Sequence, residues 1–199
     1  ILFKTMKITQ IYKMNPIKIH DIATATFLVP YSMLSVGELF FGYVIYPMFL
    51  THALSFYMIY DLIWITIQPN VVPSLRKLII LHHIVVLLFL IRPLNHPEES
   101  DFTARLSVVE IDTTILILRR LVPKHGVYYE YLNKLYLMSN LLIRVYYETI
   151  MSVYLWCMYR YHPMIDKVHI LGCQFFVNIF SCGICALTFS KRNPALKED

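Results

Sequence analysis

The sequence predicts an all-α, polytopic membrane protein with about six transmembrane helices forming a bundle or barrel around a polar cavity. Three observations lead there. Of 199 residues, 57% are hydrophobic and only 16% are charged, which is more apolar surface than one soluble core of this length could cover. The apolar residues run in blocks of 16 to 30, separated by stretches of fewer than ten residues, matching the ~20 residues that a helix needs to cross a bilayer. Ionisable residues recur inside those blocks, where contact with lipid alone would not tolerate them.

The blocks run in order from Asp21 to Val36, Phe41 to Ile67, Leu75 to Leu94, Phe102 to Val122, Leu132 to Tyr161 and Ile165 to Ser190. The first is short. The second and fifth exceed the crossing length and must tilt or extend beyond the hydrocarbon. Pro30 and Pro47 fall inside the first two blocks, so kinks are expected there. Before them, residues 1–20 spread Lys4, Lys7, Lys13 and Lys18 through an amphipathic cytosolic segment, in place of the continuous apolar run of a signal peptide. The missing initiator Met leads us to expect further chain upstream. Residues 191–199 read as a cytosolic tail.

Orientation follows from the basic residues. With the N-terminus in the cytosol, that side receives Lys4, Lys7, Lys13, Lys18, Arg76, Lys77, Arg119, Arg120, Lys124, Lys134, Lys191, Arg192 and Lys197. That is 13 of the 18 Lys and Arg. Arg92, Arg105, Arg160 and Lys167 go to the opposite side, and Arg144 falls inside a span. This asymmetry places both termini in the cytosol. It also favours an even number of spans, because dropping one would mix the two populations. The net charge of +5 is spread over block ends and forms no face for nucleic acid. The Cys182-Gly183-Ile184-Cys185 spacing matches a redox or metal pair. In a membrane span it reads better as small residues that let helices approach.

The spans carry His52 and Asp61; His82 and His83; Glu110 and Asp112; Asn140, Arg144 and Glu148; and Gln174 and Asn178. At about 1.5 Å per residue, Asp61 and His82 lie ~10 Å from the cytosolic ends, Asp112 ~15 Å, and Glu110, Arg144 and Asn178 ~18 Å. Shared depth in one half of the bilayer predicts a common cavity. Asn140, Arg144 and Glu148 recur at i, i+4 and i+8 and must face inward together. Either Arg144 and Glu148 neutralise each other as a structural pair, or they meet substrate. His82 and His83 point about 100° apart, so only one can face a given target well. An imidazole there could act as base, acid or nucleophile, or could simply bond a neighbouring carbonyl. His52, His82, His83, Asp61, Glu110 and Asp112 are suitable ligand types for a metal, but their spacing matches no metal motif and we assign none.

Four stretches in order resemble the TLC-domain family, the membrane proteins that include ceramide synthases and the TRAM and CLN-type proteins. They are Tyr57-Met-Ile-Tyr-Asp61; Leu81-His82-His83-Ile-Val-Val-Leu87; Val109-Glu110-Ile-Asp112-Thr113-Thr114 leading to Leu118-Arg119-Arg120; and Leu142-Ile-Arg144-Val-Tyr146. Ceramide synthases carry a His-Asp pair where this chain reads Val-Glu110-Ile-Asp112. The resemblance is therefore nearer the TLC-domain-containing branch, whose members are linked to membrane lipid composition. It covers roughly residues 20 to 190 and implies a domain over 21–190 in the endoplasmic reticulum.

The resemblance also implies transfer of a fatty acyl group from acyl-CoA to a membrane lipid or long-chain, sphingoid-type amine, with no bound cofactor and a possible homodimer. Carried over, the catalytic residues are His82 and His83, oriented by Asp61 or Asp112. Glu110, Asn140 and Arg144 would line the substrate site. Arg119 and Arg120, with Lys124, could hold the acyl-CoA phosphates, although the positive-inside rule also explains them. The same cavity could instead bind lipid without chemistry. A proton-coupled carrier is a third reading, but no inverted repeat supports it.

Overall fold

A computed structural model describes residues 15–41, 46–72 and 74–190. Most of the expected amphipathic segment, with Lys4, Lys7 and Lys13, and the tail with Lys191, Arg192 and Lys197 lie outside the described residues. Every described element is helical. The α-helices are α1 (Pro16–Phe41), α2 (Pro47–Ile67), α3 (Arg76–Asn95), α4 (Ser100–Leu106), α5 (Glu110–Leu121), α6 (Val127–Ser139), α7 (Glu148–Tyr159) and α8 (Met164–Ser190), with 3-10 turns at Pro69–Val71 and Pro97–Glu99 between them. A 3-10 turn at Ser107–Val109 joins α4 to α5, and a π-helical stretch at Asn140–Tyr147 joins α6 to α7, so each pair forms one rod. Among the described residues, three helices, α2, α3 and α8, are long and apolar enough to cross a membrane.

The start of α1 differs from the expected boundary. It begins at Pro16, whose missing N–H is harmless in a first turn, and the Asn15 Oδ1 accepts the Ile17 N–H at 3.0 Å. Residues 16–20 are thus the first turn of α1, and of them His20 is buried while Pro16 and Lys18 stay exposed. Pro47 likewise opens α2 rather than interrupting it, so no kink arises there. Pro30 does sit within α1. Arg76 opens α3 and turns back across the connection: its Nε and Nη2 donate to the Ile65 and Thr66 carbonyls at 3.1 and 2.9 Å. Those two carbonyls belong to the last turn of α2, where no further helical N–H can reach them.

α1 packs along α5, α2 along α3 and α4, α3 along α8, α8 along the π stretch and α7, and α5 along α6. Leu28, Leu50, Leu54, Tyr57, Phe89, Leu90, Phe102, Leu155 and Ile170 form a shared apolar core. Outward faces remain apolar too: Phe49, Phe56, Trp156, Phe175 and Ile179 are all more than half exposed. Such a surface suits hydrocarbon better than water. Close approach through small residues is not found at Gly183, where an added Cβ would meet nothing within 4 Å.

A charged cluster ties α3, α7 and α8 together at one end. Arg92 donates to both Glu99 oxygens at 2.9 Å and pairs with Asp166 at 2.6 Å, while Tyr159 donates to Glu99. Burial alone would raise the Glu99 carboxyl, but the hydrogen bonds from Arg92 and Tyr159 outweigh it and hold it below the ordinary glutamate value. The stabilisation is therefore complete above the usual ~4.3 and is lost as pH falls through the lower folded value. Glu99→Gln should flatten the acid limb of a plot of unfolding midpoint against pH. An unchanged limb would contradict this role.

Candidate functional site

Asp61, near the end of α2, joins two imidazoles from different helices. Its Oδ1 lies 2.6 Å from His20 Nε2 on α1, and its Oδ2 lies 2.9 Å from His83 Nε2 on α3. All three groups are buried, with Asp61 and His20 each only 4% exposed. The His83 Nδ1 lies 2.7 Å from the Ile79 carbonyl, which can only accept, so this nitrogen must carry a proton. Nε2 can then donate to Asp61 only if the ring holds both protons, which makes this contact an ion pair. Beside His20, Asp21 accepts from Arg120 Nε at 3.1 Å, extending the chain of charge to the end of α5.

His82 turns the other way. It stacks on Phe180 of α8 with ring centroids 4.2 Å apart, and its ring is perpendicular to that of His83. Its Nδ1 is buried without a hydrogen-bond partner among the described residues. The expected divergence of the two histidines is present, and it divides their environments: one is locked to a carboxylate, the other is not.

Two chambers meet at His82 and Glu110. A polar one of about 160 Å³ is lined by His20, Asp61, His82, His83, Glu110, Arg120 and Arg144. A deeper, mostly apolar one of about 60 Å³ is walled by Leu54, Val86, Phe89, Leu90 and Leu106, with His82, Glu110, Glu148 and Gln174 also reaching it. Two wider openings adjoin the polar chamber through Arg120. One, of about 600 Å³, is lined by Lys18, Asp21, Arg119, Arg120 and Lys124 among others; the other, of about 570 Å³, by Arg119, Arg120 and Asn133 among others. Arg119 is held in place by the Asn133 Oδ1 at 3.0 Å and lies over the Tyr136 ring.

Other expected placements change. Asp112, 0% exposed, does not orient a histidine. Its oxygens receive Ser139 Oγ at 2.6 Å, Asn140 Nδ2 at 3.2 Å and Arg144 Nε at 2.6 Å, while Arg144 Nη2 donates to Thr113 at 2.7 Å. Three donors on one carboxylate, with Thr113 holding the same guanidinium, make it a structural knot joining α5 to the π stretch. Asn140, Arg144 and Glu148 do all face inward. Of the two readings of Arg144 and Glu148, the mutual ion pair is not formed, because Arg144 is taken by Asp112. His52 is exposed and bonded to the Met48 carbonyl, away from the chambers.

Sequence reasoning missed His20 and Asp21. The available signal was Asn15-Pro16, a helix-start pair, followed by His20, Thr24 and Leu28 at helical spacing. No protein-family model matches the chain, and no curated protein or solved structure is similar to it beyond chance. Its chemistry rests on the side chains themselves. Among the described residues, no three His, Cys, Asp or Glu side chains gather as metal ligands.

Proposed function

We propose that this chain is a TLC-type integral membrane protein of lipid metabolism that transfers a fatty acyl group from acyl-CoA to a membrane lipid or long-chain amine. One observation carries the reading: His82, with no hydrogen bond to protein among the described residues, sits where the two chambers meet, beside a His83 that is locked to Asp61. In the proposed step, His82 takes the proton from the acceptor's N–H or O–H as that atom attacks the thioester carbonyl. The carbon–sulfur bond breaks, and the thiolate leaves with the proton from His82. The doubly protonated His83 supplies positive charge near the developing oxyanion.

The opening lined by Lys18, Arg119, Arg120 and Lys124, whose one carboxylate, Asp21, is paired with Arg120, suits the phosphates of a coenzyme. The deep chamber, at about 60 Å³, has the room of about two waters at ~30 Å³ each. It therefore holds a few carbons only, and a long chain would leave between helices into lipid. The membrane arrangement belongs to the same proposal. Six rods, namely α1, α2, α3, α4–α5, α6–α7 and α8, would each span, with both termini in the cytosol. Those beyond α2, α3 and α8 are less apolar because they carry the inward-facing His20, Asp21, Asp112, Arg144 and Glu148.

Phe180, stacked over His82, favours a second reading in which the cavity binds lipid without chemistry. Labelled long-chain acyl-CoA and lipid acceptors, incubated with the protein in nanodiscs, separate the two. Acyl product is expected from the native chain, and His82→Ala should lower its rate by about 10²-fold or more. Lipid retained through purification with no acyl-CoA consumed would establish the second reading. Full activity in His82→Ala would overturn the first.

A further inference from the structure

Four carboxylates are buried among the described residues: Asp21, Asp61, Asp112 and Glu148. The first three each hold a cationic partner, namely Arg120 at 3.1 Å, the imidazoles of His20 and His83, and Arg144 at 2.6 Å. Glu148 holds none. It is 0% exposed, and neither of its oxygens has a hydrogen-bond partner. A lone buried carboxylate is strongly unfavourable unless something neutralises it.

The surroundings indicate what does so. Gln174, Asn178 and Ser181 lie at i, i+4 and i+7 on α8, facing Glu148 and Ser152 at i and i+4 on α7. Ser152 Oγ donates to the Glu148 backbone carbonyl at 2.9 Å, so it can only accept from Gln174 Nε2 at 3.0 Å and Asn178 Nδ2 at 2.8 Å. Both amides are thereby oriented, and the Asn178 Oδ1 is left buried with no donor. Ser181, also 0% exposed, faces the Glu148 carboxyl as a donor, but at a geometry too poor for a full hydrogen bond. The unpartnered atoms are thus all oxygens, and they carry one negative charge between them. A proton on Glu148 would neutralise that charge and, with the Ser181 hydroxyl hydrogen, would give two donors for the four oxygens, so it is the competing occupant. A hard cation of charge +1 meets both needs.

We propose that Glu148, Ser181 and Asn178 form a binding site for a small monovalent cation, with Na⁺ the first candidate, between α7 and α8. The site is independent of the acyl-transfer reading. It lies beside the deep chamber, which Glu148 and Gln174 both reach, so occupancy would set the local charge opposite His82.

The test uses the full chain in detergent, with its unfolding midpoint followed as NaCl replaces choline chloride at constant ionic strength and neutral pH. The native protein should show a saturable rise of about 5 °C at a hundredfold excess over Kd. Glu148→Gln, which removes the charge but keeps the shape, should lose the rise. Ser181→Ala, which folds without a buried hydroxyl to satisfy, should shift the half-saturating Na⁺ concentration upward by about tenfold. LiCl and KCl series identify the preferred ion. Equal midpoints in Na⁺, Li⁺, K⁺ and choline would overturn the proposal and mean that a proton alone neutralises Glu148. So would a Na⁺ response unchanged in Ser181→Ala.

Discussion

Arg144→Ala is expected to destabilise the protein by about 3–5 kcal/mol, the range for a buried ion pair broken on one side. For a chain of this size that corresponds to a drop of roughly 10 °C in unfolding midpoint. The reason lies with the partner. Asp112 is fully buried, and without the guanidinium it would keep only Ser139 and Asn140 to oppose its charge. Thr113 would also lose its donor. The pair need not itself be strongly favourable for this to hold, since the penalty belongs to the charge left behind. Combining Arg144→Met with Asp112→Leu should therefore recover much of the loss. Calorimetry of the two single variants and the double variant in the same detergent decides the matter. A loss below about 1 kcal/mol in Arg144→Ala would mean that water reaches Asp112 readily.

The second large effect is expected in activity. Asp61→Asn preserves the side-chain shape and leaves an oxygen to accept from His20, but its amide cannot hold a doubly protonated His83. If His83 supplies positive charge beside His82, acyl transfer should fall by about 10²-fold or more. The unfolding midpoint should move far less than in Arg144→Ala, because a neutral amide is a tolerable partner for neutral imidazoles. Measuring both quantities on one preparation separates a chemical role from a structural one. Unreduced transfer in Asp61→Asn would show that His83 does not need its carboxylate.

Much of the fold was legible because long apolar runs of about crossing length mark helices whatever surrounds them. The block at 75–94 and the helix Arg76–Asn95 coincide nearly residue for residue. Boundaries moved where local chemistry outranked hydropathy, as at Pro47, whose ring fits a first helical turn. The candidate site was legible by residue type and depth: Asp61, His82, His83, Glu110 and Arg144 do line one chamber. Its pairings were not. That Arg144 meets Asp112 and leaves Glu148 alone depends on how α5 and α8 are set against the π stretch, and nothing in either helix's own periodicity encodes it. His20 was obscured because a histidine next to lysines reads as surface when only neighbours along the chain are visible.

The eight π-helical residues at Asn140–Tyr147 govern more than their own turn. Their i→i+5 bonding widens the helix and absorbs extra chain without breaking it. An unbroken α-helix through the same residues would rotate everything beyond by about 100° for each residue displaced. Arg144 could then point at Asp112, but Tyr159 would swing away from Glu99. The wide turn keeps the two ends of one rod in phase, so that a single helix serves the polar knot at one depth and the Arg92 cluster at another.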